Sequence, residues 1–430
     1  MKTFHKLLAN SIIANITNLT VWYAMVFFVY LETRSVIATS ITSGLYFVVS
    51  SLSGFWFGSL LDRHPKKGVM LASGLASLVL YIVGFALYLM APADAFRDAG
   101  SLVLWVFVPL LLLGVVAGNT RYIALPAIIT VLMPADRRDR ANGLSGTATG
   151  LAALIVSAIS GLLVGLAGMY WVFILVIVLT VITSAHLYTL SIPEPEAAPA
   201  DDPAPRLDIR GTMMHIMAVP GLIALILFTT LNNFLGGVFA GLLDAYGLSL
   251  VSVEAWGVLW MILSSGFIIG GLAIARWGLG PNPLRALFLA NITGWTISSL
   301  FMIRPSILLL ASGMLLYMCI APFIEAAEQT IIQRVVPPER QGRVFGFAQS
   351  VETAATPVTT FAIGPIAELV FIPFMTTGAG VDLIGGWFGV GPDRGIALLF
   401  TLTGIIGLIV TLIAMRTKYY RLLSERYQEG

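Results

Sequence analysis

Apolar runs of about 20 residues or more, the length that carries a helix across a hydrocarbon core about 30 Å thick, recur from one end of the sequence to the other with only short polar breaks between them. The pattern predicts an all-α membrane protein. Dividing the chain at charge clusters and at Gly or Pro gives twelve spans, at 7–31, 37–61, 68–91, 102–131, 143–167, 169–191, 215–245, 252–275, 285–303, 306–333, 344–371 and 395–415. No break is long enough to hold a soluble domain. The first run follows Met1-Lys-Thr-Phe-His-Lys6 and continues to Leu31, past the length of a signal core and without a clear small-residue cleavage site, so it reads as a retained span.

Two features organise the spans into halves. The stretch Ile192 to Arg206 is rich in proline and acid and reads as an extended, flexible spacer. It separates six spans from six: a half at 1–191, a linker at 192–212, a second half at 213–416 and a tail at 417–430. The second feature is a loop written twice. Pro134, Arg137, Arg140 and Gly143 between spans 4 and 5 recur as Pro337, Arg340, Arg343 and Gly346 between spans 10 and 11, at a constant offset of 203. The repeat is therefore a six-helix unit used twice in one orientation, and parallel halves of this kind are a transporter layout.

Composition supports the reading. Hydrophobic residues make up 58% of the 430 and charged residues 11%, with a mean hydropathy of +0.91. The lone Cys319 lies inside a predicted span and cannot pair within the chain. Lys and Arg favour the cytoplasmic side of short loops. With both termini cytoplasmic, 19 of them fall on that side and only Arg34, Arg97, Arg304 and Arg394 outside, while Arg121 sits within span 4. A missed or extra helix would scramble that asymmetry. The segment Phe374 to Arg394 is too glycine-rich for a continuous span and reads as an outer interfacial or lid segment around Trp387 and Phe388, and Lys418 to Arg426 as a short basic helix on the inner surface.

At the turn between spans 2 and 3 stand Gly54, Gly58, Asp62, Arg63, Lys66 and Lys67. Glycines four apart allow close helix approach, and Asp62 with the following cations can bridge neighbouring helix ends. This stretch, with the layout of nearly the whole chain, resembles the major facilitator superfamily, whose signature loop is usually G-x-x-x-D-R/K-x-G-R/K-R/K; here Pro65 replaces the usual glycine. The second-half counterpart reads Gly266, Gly270 and Arg276 and lacks the acid. The resemblance implies a conformational latch made of Gly54, Gly58, Asp62, Arg63, Lys66, Lys67, Arg137, Arg140, Arg340 and Arg343. Within the superfamily the sequence is similar to proton-driven multidrug antiporters of the macrolide-efflux type. It has no proline-glycine motif in span 5, and span 11 has only Gly364-Pro365.

Ionisable residues inside spans mark functional sites. They are Arg121 in span 4, Glu325 and Glu328 in span 10, and Glu352 and Glu368 in span 11. Glu325 and Glu352 flank the repeated loop symmetrically, so both are expected about 14 Å into the membrane at about 1.5 Å per residue. The offset also maps Arg121 next to Glu325. The resemblance implies that the first and fourth helices of each half line a cavity, which would set a cation against a carboxylate at one level. Paired carboxylates hold a proton more tightly and a neighbouring guanidinium loosens it, so Glu325, Glu352, Glu328 and Arg121 are the proton-coupling candidates. Asn15, Asn18 and Trp22 share a face of span 1, and Asn232 and Asn233 lie in mid-span 7. With Arg121 and Glu325 they are the candidate contacts to an amphipathic solute, set against interhelical hydrogen bonding as the plainer role.

The expectation is a monomeric, multi-pass transporter of a bacterial inner membrane. It would export a small drug-like solute by alternating access in exchange for protons, with no cofactor beyond the proton gradient and no nucleic-acid partner. Uptake or uniport of a metabolite is the alternative, and a non-transporting receptor a further one. An enzyme is disfavoured: His5, His64, His186 and His215 are scattered, Cys319 has no nearby base, and neither a His-Cys metal spacing nor a phosphate-binding loop occurs.

Overall fold

The computed structural model describes residues 2–33, 36–164, 168–193 and 209–429; residues 194–208, most of the predicted linker, lie outside that set. Among the described residues the chain is helical without strands. The first half runs through α1 (Lys2–Thr33), α2 (Val36–Arg63), α3 (Lys66–Met90), α4 (Leu102–Gly118), α5 (Thr120–Leu132), α6 (Arg138–Leu162) and α7 (Gly168–Thr189). The second runs through α8 (Ile209–Ala218), α9 (Leu222–Leu250), α10 (Val253–Trp277), α11 (Pro283–Leu300), α12 (Ile307–Val335), α13 (Gln341–Ile366), α14 (Ile372–Thr376), α15 (Ala379–Phe388), α16 (Pro392–Arg416) and α17 (Lys418–Glu429).

Ten segments among the described residues are long and apolar enough to cross a membrane. The two other spans of the twelve are α6, whose start is charged and which is rich in Gly, Ser and Thr, and α11, whose apolar stretch is diluted by Asn291, Thr293, Thr296, Ser298 and Ser299. Three predicted spans differ in detail. Span 4 is interrupted for one residue at Asn119, between α4 and α5, where Asn18 Nδ2 donates to Val115 O at 2.9 Å and to Asn119 Oδ1 at 2.9 Å while Asn119 N still donates to Val115 O at 3.2 Å. Span 7 begins at Leu222 rather than 215, because Gly221 at φ +83° turns the chain after the separate helix α8. Span 11 runs on through a π-helical turn, Ala367–Phe371, into α14. The glycine-rich segment that follows folds as the ten-residue helix α15.

By contact, the chain divides into two compact units. The first comprises 1–138, 151–212 and 336–350; the second comprises 139–150, 213–335 and 351–430. Relative to chain order, the start of α13 is counted with the first unit and the start of α6 with the second. Glycine explains both assignments. In the first unit a Cβ on Gly54 would meet Gly346 O at 2.9 Å, and one on Gly58 would stand 3.1 Å from Gly346 Cα, so α2 and α13 cross backbone to backbone. In the second unit α6 crosses α10 in the same way: a Cβ on Gly143 would stand 2.9 Å from Ala275 N, one on Gly150 3.1 Å from Ile268 N, and one on Gly271 2.7 Å from Gly143 O. The second-half glycine pair makes a close approach of its own: Gly266 and Gly270 pack on α12, against Leu315 O and Cys319, and the adjacent Gly271 meets α6.

Arg394, counted by sequence among the outer charges, is only 1% exposed. Its Nε donates to Phe388 O at 2.8 Å, Nη1 to Tyr246 Oη at 3.2 Å, and Nη2 to Met302 O at 3.0 Å and Ile303 O at 2.8 Å. The guanidinium also lies 4.3 Å from the Phe388 ring centre. One side chain thus joins the ends of α9, α11, α15 and α16.

Candidate functional site

The twice-written loop is the first place where sequence candidates meet. Each copy opens on proline, Pro134 or Pro337, turns through a short 3-10 segment, and enters α6 or α13. A helix start presents unpaired N–H groups and the positive end of the helix dipole. In the first unit Asp62, at the end of α2, supplies the acceptor: its Oδ1 takes the Gly342 N–H at 2.7 Å and its Oδ2 the Arg343 N–H at 2.9 Å. The Arg343 Nε lies 3.6 Å from the same carboxylate, whose side chain is 2% exposed. In the second unit the acid is on the loop instead. Asp139 Oδ2 accepts from Leu279 N at 2.9 Å, just past the end of α10. The structure therefore brings together Gly54, Gly58, Asp62 and Arg343 of the predicted latch. It leaves Arg137, Arg140 and Arg340 exposed. The Arg137–Asp136 pair, 3.9 Å apart, is exposed as well and contributes little. Lys66 and Arg63 are half-buried, and Lys67 Nζ donates to Tyr188 O at 2.9 Å. Arg138, which the sequence reading passed over, caps α5 by donating from Nη2 to Thr130 O at 3.1 Å.

A second polar cluster fills the middle of the first unit. Tyr81 Oη donates to Asn18 Oδ1 at 3.0 Å, and Asn18 holds the α4–α5 break described above. Asn18 is thus an interhelical tie. Trp22 stacks on Tyr46 with ring centres 4.2 Å apart, and Asn15 is half-buried. Arg121 is buried on α5 and donates from Nη1 to Asn10 Oδ1 at 2.9 Å; Asn10 in turn donates to Thr183 O at 2.8 Å. Asn10 escaped the sequence reading because it precedes the middle of span 1.

The second unit holds the carboxylates, and their contacts go beyond what depth alone predicts. Thr229 Oγ1 on α9 lies 3.0 Å from Glu328 Oε1 and 2.9 Å from Glu352 Oε1, and the two carboxyls are within hydrogen-bonding reach of each other. Glu325, expected to share its level with Glu352, instead accepts from Gln329 Nε2 at 3.3 Å on its own helix. Depth and direction are separate quantities. Equal distance from the loop sets height, whereas rotation at 3.6 residues per turn decides which side chain faces the neighbour. Thr229 carries a signal in hindsight: it belongs to the polar run Thr229, Thr230, Asn232 and Asn233 inside an apolar helix. Of that run, Asn232 Oδ1 accepts from Trp295 Nε1 at 2.7 Å and Asn233 Nδ2 donates to Thr229 O at 3.1 Å.

Beyond this hub the second unit contains a cavity of about 310 Å³ between α9, α10, α11 and α12. Phe239, Trp260, Trp295, Phe301 and Tyr317 line it with one carboxylate, Asp244. Asp244 Oδ1 accepts from both Trp256 Nε1, at 2.9 Å, and Trp260 Nε1, at 3.1 Å, which leaves Oδ2 to other donors. Asp244, one residue from the predicted end of span 7, was not among the sequence candidates, and α9 continues past it to Leu250.

Helices sized for a bilayer, with amides, a guanidinium and paired carboxyls held at mid-span, define a multi-pass membrane transporter rather than a packed scaffold. The chain belongs to the Major Facilitator Superfamily, whose family profile matches residues 8–360. Macrolide efflux protein A of Streptococcus pyogenes is 24% identical over 376 residues, covering 83% of this chain and 87% of that protein. Macrolide efflux protein A of Enterococcus faecalis is 24% identical over 335 residues, covering 73% and 96%. Among solved structures, a bacterial homologue of the iron transporter ferroportin in its outward-facing state superposes with a TM-score of 0.71 at 14% identity, covering 97% of this chain and all, 100%, of that one. The human organic anion transporter MFSD10 (TETRAN) superposes with a TM-score of 0.68 at 15% identity, covering 95% and 99%. These superpositions establish the twelve-helix fold in two six-helix halves.

Proposed function

We propose that the protein exports a small amphipathic, drug-like solute by alternating access in exchange for protons, as a monomer whose termini both lie on the cytoplasmic side of a bacterial inner membrane. The observation that carries proton coupling is the Glu328–Thr229–Glu352 hub. A hydroxyl owns one proton, yet Thr229 Oγ1 stands within bonding distance of two carboxyls and of the Leu225 and Ile226 carbonyls, at 3.2 and 3.0 Å. A second proton, on one of the carboxyls, completes the set, and its departure leaves two negative charges competing for one donor. Glu325, one turn from Glu328, adds a third carboxylate close by. The hub can therefore exist in a loaded and an unloaded form that differ by one proton. The aromatic cavity with its single carboxylate supports an amphipathic solute, and the macrolide efflux relatives support export.

The test is transport by purified protein in liposomes with an imposed pH gradient. Macrolides and hydrophobic cations are expected to move against the gradient and to dissipate it. Glu328→Gln and Glu352→Gln should each reduce gradient-driven movement to that of empty liposomes while solute exchange without a gradient continues. Movement indifferent to the gradient would make the protein a uniporter and end the coupling assignment. Gradient-driven accumulation in the uptake direction alone would reverse the direction.

A further inference from the structure

Arg121 remains outside the coupling hub, and its surroundings are unusual for a cation inside a membrane. The side chain is 8% exposed. A guanidinium has five N–H donors, and Arg121 uses Nη1 on the neutral Asn10 amide. None of the ion pairs among the described residues includes it. An uncompensated charge at such a place is costly. Across from it on α7, the buried Ser184 Oγ has no hydrogen-bond partner.

Both groups border one space, and Gly74 on α3 keeps that space open. A Cβ at Gly74 would stand 2.9 Å from Ser184 Oγ and 3.1 Å from Arg121 Nη2. A cavity of about 30 Å³ opens beside Arg121 and Gly74, lined also by Asn18, Ser77, Tyr81 and Thr183, and Ser184 Oγ adjoins it at the gap left by Gly74. Ser77 and Tyr81 have already given their hydroxyl protons, to Gly114 O at 2.7 Å and to Asn18 Oδ1 at 3.0 Å. The donors still on offer are those of Arg121 and Ser184, which together suit an acceptor carrying negative charge. A water needs about 10–15 Å³ of such volume, so the space takes about two water-sized bodies, enough for a monatomic ion and too little for the five heavy atoms of sulfate or for a carboxylated solute.

We infer that Arg121, Ser184 and Gly74 form a binding site for a small monovalent inorganic anion of chloride's size, within the first unit. Arg121 supplies the charge, Ser184 a second donor and Gly74 the room. The inference is independent of export and of proton coupling, since it concerns binding alone.

The experiment follows thermal unfolding of the purified full chain in lipid nanodiscs by intrinsic fluorescence, while sodium gluconate is replaced by sodium chloride at constant ionic strength. The natural sequence should show saturable stabilisation by chloride and none by sulfate. Gly74→Ala, which fills the space and keeps the guanidinium, should lose the response; Ser184→Ala should weaken it. Arg121→Gln should lose it too, but that variant also breaks the bond to Asn10, so Gly74→Ala and Ser184→Ala decide. Line broadening of the chloride-35 resonance by the same proteins gives a second readout that does not depend on their melting temperatures. Absence of a saturable chloride response, an equal response to sulfate, or an undiminished response in Gly74→Ala would each overturn the site.

Discussion

Replacing Asp62 by alanine is expected to lower the stability of the first unit by about 3 kcal/mol, the cost of orphaning buried donors that a charged acceptor had satisfied. The carboxylate is 2% exposed and serves the Gly342 and Arg343 amides with one oxygen each. Alanine leaves both N–H groups at the start of α13 without a partner and leaves Arg343 beside an empty position. Asparagine keeps one acceptor oxygen but turns an NH₂ group toward the other amide. Asp62→Asn should therefore fold, melt between the natural protein and Asp62→Ala, and transport more slowly. The measurements are thermal inactivation of transport and the initial rate in liposomes. A Tm and a rate for Asp62→Ala equal to those of the natural protein would show that the contact is dispensable.

The second large effect is expected at Arg394. Its four hydrogen bonds and its place over Phe388 hold α15 to the ends of α9, α11 and α16. Hydrogen bonds to a charged donor are worth more than neutral ones, so Arg394→Leu should cost about 4 kcal/mol after allowing for the relief of desolvating a buried cation. The loss should be local, with the 379–388 helix becoming a site of proteolytic cleavage before the rest of the second unit unfolds. Arg394→Lys offers a single ammonium that cannot reach all four acceptors and should fall between. Cleavage patterns identical for all three proteins would remove Arg394 as the fastening.

These two residues show where a linear reading succeeds and stops. Asp62 was legible because glycines four apart and an acid before a cation cluster have a physical meaning at a helix end wherever they occur. The partner of Asp62 was not, because Gly342 and Arg343 are 280 and 281 residues away and nothing local joins them. The partners of Arg394 were hidden for a related reason. A charge in a glycine-rich break looks solvated until a fold closes four acceptors around it.

The carboxylates make the same point within one pair of helices. The doubled loop located Glu325, Glu328 and Glu352 in the spans flanking one turn and assigned Glu325 and Glu352 one depth. It left their contacts open, and Glu328 and Thr229 are the groups that meet Glu352. The glycines behaved alike: the spacing of Gly266 and Gly270 named no partner, and the fold sets them on α12 and the adjacent Gly271 on α6.

By itself the sequence determined the solvent, the number of spans, the two-fold repeat and the residues capable of chemistry, because hydropathy, helix length and charge placement act locally and survive in one dimension. Tertiary structure alone decided which residues meet: Asp62 with the start of α13, Asp139 with the end of α10, Glu328 with Glu352 through Thr229, and Arg121 with Asn10. Contact depends on helix rotation and on the breaks at Asn119 and Gly221, and a single residue of phase, about 100° on an α-helix, is enough to exchange one partner for another.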